Sequence, residues 1–117
     1  MYKRSEKVAE AIHEEISGLL VKGLKDPRVG FATLTSVKVT DDLRLATVYY
    51  TVMGDEAARR AAQAGLESAR GYLRSEIGKS LRLRHVPDLL FRYDESIDYG
   101  MRIDSLLREI GGEGSHD

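Results

Sequence analysis

From Ser5 to Leu24 the apolar side chains Val8, Ile12, Ile16, Leu19, Leu20 and Leu24 recur every three to four residues, which aligns them on one side of a helix. Ser5 is placed to cap that helix. The run Leu24-Lys25-Asp26-Pro27-Arg28-Val29-Gly30 ends it, because proline disfavours helical geometry in the residue before it. Between Thr33 and Val52 the pattern changes to β-branched and aromatic residues, broken by Asp41-Asp42. This predicts two strands, Thr33 to Thr40 and Leu43 to Val52, paired as an antiparallel hairpin. In the first, Val37 and Val39 are expected to share a face with Thr33 and Thr35. The second is apolar on both faces, as in a central strand.

Asp55 caps a second helical pattern that starts at Glu56. Its stripe runs through Leu66, Leu73, Ile77 and Leu81, and Arg70 falls between Leu66 and Leu73 at helical spacing. In a straight helix this points Arg70 toward the core, so a bend at Gly71 is expected, dividing the segment into Glu56 to Ala69 and Tyr72 to Leu81. Leu89-Leu90-Phe91-Arg92-Tyr93 reads as a third strand, after a link holding Pro87. A last helix is expected from Ser96, with Met101, Ile103, Leu106, Leu107 and Ile110 along one side, ended by Gly111-Gly112 and followed by a polar tail. The predicted order is α-β-β-α-bend-α-β-α.

At 117 residues the chain is one domain, large enough to bury a core. It has no cysteine, which removes disulfides, thiolate catalysis and Cys-ligated zinc together. No apolar run approaches the roughly 20 residues that span a bilayer, and the charged start carries no signal-peptide pattern, so an intracellular, cytoplasmic location is expected.

The formal net charge of -1 hides a division along the chain. Residues 1–30 carry +1, 31–69 carry -1, 70–92 carry +4 and 93–117 carry -5. The basic block holds Arg70, Arg74, Lys79, Arg82, Arg84 and Arg92, with His85 beside them. Arg70 and Arg74 lie one helical turn apart, where both can meet a phosphate backbone, and Arg82 and Arg84 follow in the next connection. A solvated helix face is the plainer reading of such a run, and the scarcity of nearby acids favours phosphate contact. Lys3, Arg4 and Lys7 form a second basic group, with Glu6 and Glu10 close enough for internal pairing.

Enzymatic chemistry finds little support. Gly78-Lys79-Ser80 ends like a phosphate-binding loop, but Gly71 and Gly78 stand too far apart for that motif and the string follows a helix, not a strand. His13, His85 and His116 are scattered, with no metal-ligand spacing. Asp41-Asp42 reads as turn chemistry and Asp94-Glu95 as a strand end, and the serines have no histidine in a nucleophile arrangement. No metal or cofactor is expected. Tyr72, beside the arginines, is the tyrosine best placed to stack on a base.

Several separated motifs resemble bacterial ribosome-binding factor A. They are the Arg4 to Ile12 pattern, Lys25-Asp26-Pro27-Arg28, Ala69-Arg70-Gly71, the run Gly78 to Pro87, and Asp94-Glu95-Ser96 with Gly100-Met101-Arg102. They occur in the family's order over about residues 2 to 107. The resemblance implies an α+β, type II KH-like domain over 1–95 with a three-stranded sheet, an additional C-terminal helix over 96–110 and a flexible tail over 111–117. In such a domain the interhelical kink Ala69-Arg70-Gly71 replaces the usual phosphate loop. It further implies a non-enzymatic assembly factor. That factor would bind the free small (30S) ribosomal subunit and its 16S rRNA and precursor, promote late maturation and 5′-end processing, and support growth in the cold. The expected RNA-binding residues are Arg70, Arg74, Lys79, Arg82, Arg84, His85, Lys3 and Arg4. Ribosomal proteins are further candidate partners, and a monomer is expected. The alternative is a protein-interaction module that acts without touching RNA.

Overall fold

The computed structural model describes residues 3–24, 27–29 and 32–96. Helix α1 spans Arg4–Lys22 and buries Val8, Ile12, Ile16 and Leu19, the predicted stripe. Its cap is Lys3 rather than Ser5. The Glu6 carboxylate reaches back to accept from the Lys3 backbone N–H at 2.9 Å, and Ser5, buried in the first turn, directs its hydroxyl to Asp41 at 3.4 Å. The helix ends at Gly23, ahead of the proline turn, because Gly23 takes φ 90, a left-handed value open to glycine, and its N–H closes onto the Leu20 carbonyl at 3.0 Å. Pro27–Val29 then forms one 3-10 turn that buries Val29.

Strands β1 (Thr33–Val39), β2 (Leu45–Thr51) and β3 (Asp88–Tyr93) form one sheet in the order β1-β2-β3. The β1–β2 pair is the antiparallel hairpin expected, and β2 is central. A parallel β2–β3 pair needs a long crossover, and α2 (Glu56–Leu81) supplies it. The face expectation for β1 fails at a bulge between Leu34 and Ser36. The extra residue, Thr35, shifts the alternation, so Leu34, opposite Tyr50, joins Val37 and Val39 on the core face, and Thr33 lies on the other. A period-two reading has no means of detecting that inserted residue.

Asp55 caps α2 as predicted, accepting from the Ala58 N–H at 2.9 Å. The division at Gly71 is not found: α2 is one unbroken helix of 26 residues, and Gly71 lies outside the left-handed region. The conflict over Arg70 is resolved by register. Ala69, packed against the core, carries the stripe from Leu66 to Leu73, which leaves Arg70 at its edge, half-buried and paired with Glu67. Glu67 accepts from Gln63 at 2.8 Å, and Gln63 also donates to the Phe91 carbonyl at 3.2 Å and accepts from the Tyr50 hydroxyl. Arg70 thus terminates a polar chain that ties α2 to β2 and β3.

Between the helices and one sheet face lie Ile12, Ile16, Val48, Tyr50, Leu66, Leu73 and Ile77, all essentially solvent-free. Each such aliphatic side chain contributes about 1.5–3 kcal/mol. Gly65 lets the 3-10 turn approach α2, since a methyl there would stand 2.8 Å from Val29 Cγ2 and 3.0 Å from its backbone nitrogen. The predicted helix over 96–110 and the tail over 111–117 lie outside the described residues beyond Ser96.

Two glycines of α2 should therefore respond in opposite directions. Gly71→Ala, whose methyl meets nothing within 4 Å, is expected to stabilise the fold by about 0.5–1 kcal/mol. Gly65→Ala is expected to cost about 1–3 kcal/mol through overpacking. Urea unfolding of both variants measures this, and a destabilised Gly71→Ala would mean that the backbone at residue 71 needs glycine.

Candidate nucleic-acid interface

Chain direction decides which cations meet. The first turn of α1, the β1–β2 turn and the link from α2 into β3 all fall at one end of the sheet, where β1 finishes and β2 and β3 begin. The β1–β2 turn is held by its own polar groups. The Asp42 carboxylate accepts from the Thr40 hydroxyl at 2.7 Å and from the Arg44 N–H at 3.1 Å, and Leu43 turns the backbone with φ 62. Those two hydrogen bonds, the Thr40 one first, hold the Asp42 carboxyl below its ordinary pKa of 3.8.

The link is held by Arg74. Its Nε donates to the Pro87 carbonyl at 3.1 Å, one terminal nitrogen donates to the Val86 carbonyl at 2.9 Å, and the same nitrogen lies 3.5 Å from the Asp88 carboxylate. Pro87 is buried, and Leu83 and Val86 pack against the core. Arg82 ends α2 in the left-handed conformation, φ 52, and starts the link. Arg84 and His85 therefore stand exposed on a fixed backbone.

A cavity of about 580 Å³ opens between these three segments. Arg4 and Val8 line it from α1, Asp42, Leu43 and Arg44 from the turn, and residues 83–88 from the link. Its acids are already engaged, Asp42 with Thr40 and the Arg44 N–H and Asp88 with Arg74. Among the described residues no ion pair engages Arg4, Arg84 or His85. The mouth of the cleft is therefore positive although the chain as a whole is not.

The basic residues singled out from sequence divide accordingly. Arg4, Arg84 and His85 converge, and Lys3 lies nearby, 3.9 Å from Asp41 of the adjoining turn. Arg82 is exposed one residue before the lining. Arg70 and Arg74 are not on this surface as free cations: one ends the Gln63–Glu67 chain and the other clamps the link. Lys79 is exposed and pairs with Glu76 at 3.6 Å, about half a turn of helix around from Arg70, so these residues form no continuous ridge. Arg44 was not among the predicted contacts. It lies far from the basic block in sequence, and only the hairpin, which returns the β1–β2 turn to the start of α1, brings it in. Tyr72 is 54% exposed, away from the cleft lining.

No group of three metal-ligating side chains occurs among the described residues, and none of their helices is long and apolar enough to cross a membrane. The string Gly71 to Ser80 is helical throughout, which removes the loop that phosphate cradling requires.

The sequence profile of the family described as Ribosome-binding factor A matches residues 4–107. The chain belongs to the ribosome-binding factor A family. It is 64% identical to ribosome-binding factor A of Geotalea uraniireducens over 117 residues, covering all of this chain and 96% of that protein. Identity to the Geobacter metallireducens factor is also 64%, over the full length of both. The crystal structure of ribosome-binding factor A from Thermus thermophilus shares the KH-like fold, with a TM-score of 0.66 at 21% identity over 76% of this chain and 94% of that one. A homology model of the Thermus thermophilus factor, fitted into a cryo-electron-microscopy map of a complex with the 30S subunit, aligns with a TM-score of 0.60 at 24% identity over 82% of this chain and 97% of that one. The α+β architecture expected from the family resemblance is therefore the one observed.

Arg74 and Arg84 provide a sharp contrast in stability. Arg74→Met removes two hydrogen bonds to part-buried carbonyls and should cost about 1–3 kcal/mol, whereas Arg84→Met should change stability by no more than about 0.5 kcal/mol. Thermal and urea unfolding measure both. For Asp42 the lowered pKa fixes the sign of the pH effect. Its support of the turn is present above 3.8 and is lost as pH falls through the lower folded value. A carbon-13 NMR titration should place the Asp42 midpoint below 3.8, and Thr40→Val should move it upward.

Proposed function

We propose that this chain is a non-enzymatic assembly factor that binds the free small (30S) ribosomal subunit, contacts its 16S rRNA and the precursor, and promotes late maturation, including 5′-end processing. The observation that carries this reading is the convergence of Arg4, Arg44, Arg84 and His85, from three separate segments, around one cleft in a chain of the ribosome-binding factor A family. The fit of the Thermus thermophilus relative into a 30S complex supports the choice of partner. Lys3 and Arg82 extend the contact on either side, with Lys79 a peripheral cation. Arg70 and Arg74 serve as positioning residues within the fold.

Such a factor needs no covalent step. It shifts an RNA folding equilibrium by the difference between its affinities for the two conformations, so it must prefer the immature subunit to the finished one. Low temperature lengthens the life of misfolded RNA, which makes growth in the cold the condition where this preference matters most. The factor acts as a monomer in the cytoplasm, and ribosomal proteins beside the RNA add further contacts.

Sedimentation with purified subunits tests the proposal. The protein should pellet with small subunits and not with large ones. With about five phosphates contacted, log affinity should fall against log salt with a slope of roughly -3 to -5. Arg44→Glu with Arg84→Glu should abolish pelleting while the variant melts like the parent. Salt-independent pelleting, or full binding by the folded double variant, would contradict the RNA contact.

A further inference from the structure

We infer that the cleft between α1, the β1–β2 turn and the α2–β3 link receives one unpaired nucleotide of single-stranded RNA, its base against the apolar wall and its phosphate at the guanidinium rim. This rests on the proposed RNA-binding function and names what that site selects.

Shape and chemistry both lead there. A surface built only to rest on a duplex backbone needs a row of cations and no depth. Here the cations stand over a cavity of about 580 Å³, within the size of small-ligand pockets, which run roughly 300–1,000 Å³. Part of the wall is apolar where the link and α1 meet: the half-buried Leu83 and Val86 of the link, together with the largely buried Val8 and Pro87. Arg4, Arg44 and Arg84 surround it from separate segments. An apolar wall under a cationic rim matches a nucleotide, with its flat, weakly hydrated base and its charged phosphate, better than it matches free phosphate or an apolar peptide.

Base pairing excludes the alternative. In an A-form helix the bases are stacked inside and the major groove is too narrow for side chains to read, so a duplex would touch the rim and leave the cavity unfilled. A splayed-out base can enter. The carboxylates in the lining do not reverse the preference for an anion, since Arg4, Arg44 and Arg84 outnumber Asp42 and Asp88, and Asp88 is paired with Arg74.

The cleft is also preformed. Among the described residues, the two non-glycine positions with left-handed backbone are Leu43, in the wall, and Arg82, at the start of the link. Each is held in place by the groups around it: the Asp42 turn on one side, and the packed Leu83 with the Arg74 clamp on the other. Neither segment has to be reshaped for the nucleotide to enter, and an unpaired strand is the form of RNA that offers one.

Fluorescence anisotropy with the full chain tests this, using a labelled eight-nucleotide single-stranded RNA and the duplex of the same sequence at equal salt. The single strand is expected to bind at least tenfold tighter. Leu83→Trp, which adds bulk to the lining and keeps every cation, should weaken the single strand at least tenfold. The parent protein gives a reading that needs no variant: in nitrogen-15 NMR spectra the amides of residues 42–44 and 83–88 should shift with the single strand. Equal affinity for both RNAs, or shifts confined to other surfaces, would overturn the inference. Subunit sedimentation separates the two readings. Pelleting with small subunits, without single-strand preference, removes the nucleotide site alone. Selective oligonucleotide binding without pelleting supports the site and removes the subunit reading.

Discussion

The guanidinium of Arg74 holds two consecutive carbonyls of the link, those of Val86 and Pro87, and reaches the Asp88 carboxylate where β3 begins. That contact sets where the parallel strand starts after the crossover helix. It thereby fixes the backbone carrying Arg84 and His85 and one wall of the cleft. A charged side chain employed this way cannot also be released to a ligand without loosening what it holds. Arg74 is therefore a girder of the fold, and Arg82 and Arg84 are cations of the basic block that face solvent without such a duty.

The chain does not need a large net charge to meet a polyanion. Screening limits the reach of exposed charges to about 8–10 Å at physiological salt, so local arrangement governs contact. Three segments far apart in sequence each place an arginine on one cavity, where these arginines outnumber two carboxylates, one of which, Asp88, is paired with Arg74. The total of -1 is the sum of a cationic end and acidic sequence elsewhere.

Much of the fold was legible because it follows from local periodicity. The stripe Val8, Ile12, Ile16 and Leu19, the hairpin broken at Asp41-Asp42 and the Asp55 cap are local signals, and each was realised. The failures were also physical. A division of the helix at Gly71 follows if Arg70 opposes Leu66 and Leu73, but small Ala69 carries the seam and the helix is continuous. The Thr35 bulge inserts a residue that an alternating pattern cannot register. For the site, sequence proximity grouped Arg70, Arg74, Lys79, Arg82 and Arg84, whereas space groups Arg4, Arg44 and Arg84. An antiparallel hairpin following a helix returns its turn to that helix's start, and this topological step is what recovers Arg44.

Site-directed cross-linking on the small subunit tests the central claim most directly. A photoactivatable residue placed at position 84, at the cleft, should cross-link to ribosomal RNA. The same group at position 53, an exposed site at the opposite end of the sheet where β2 gives way to α2, should not. Cross-links from position 53 with none from position 84 would contradict the account, because the cationic end would then face away from the RNA.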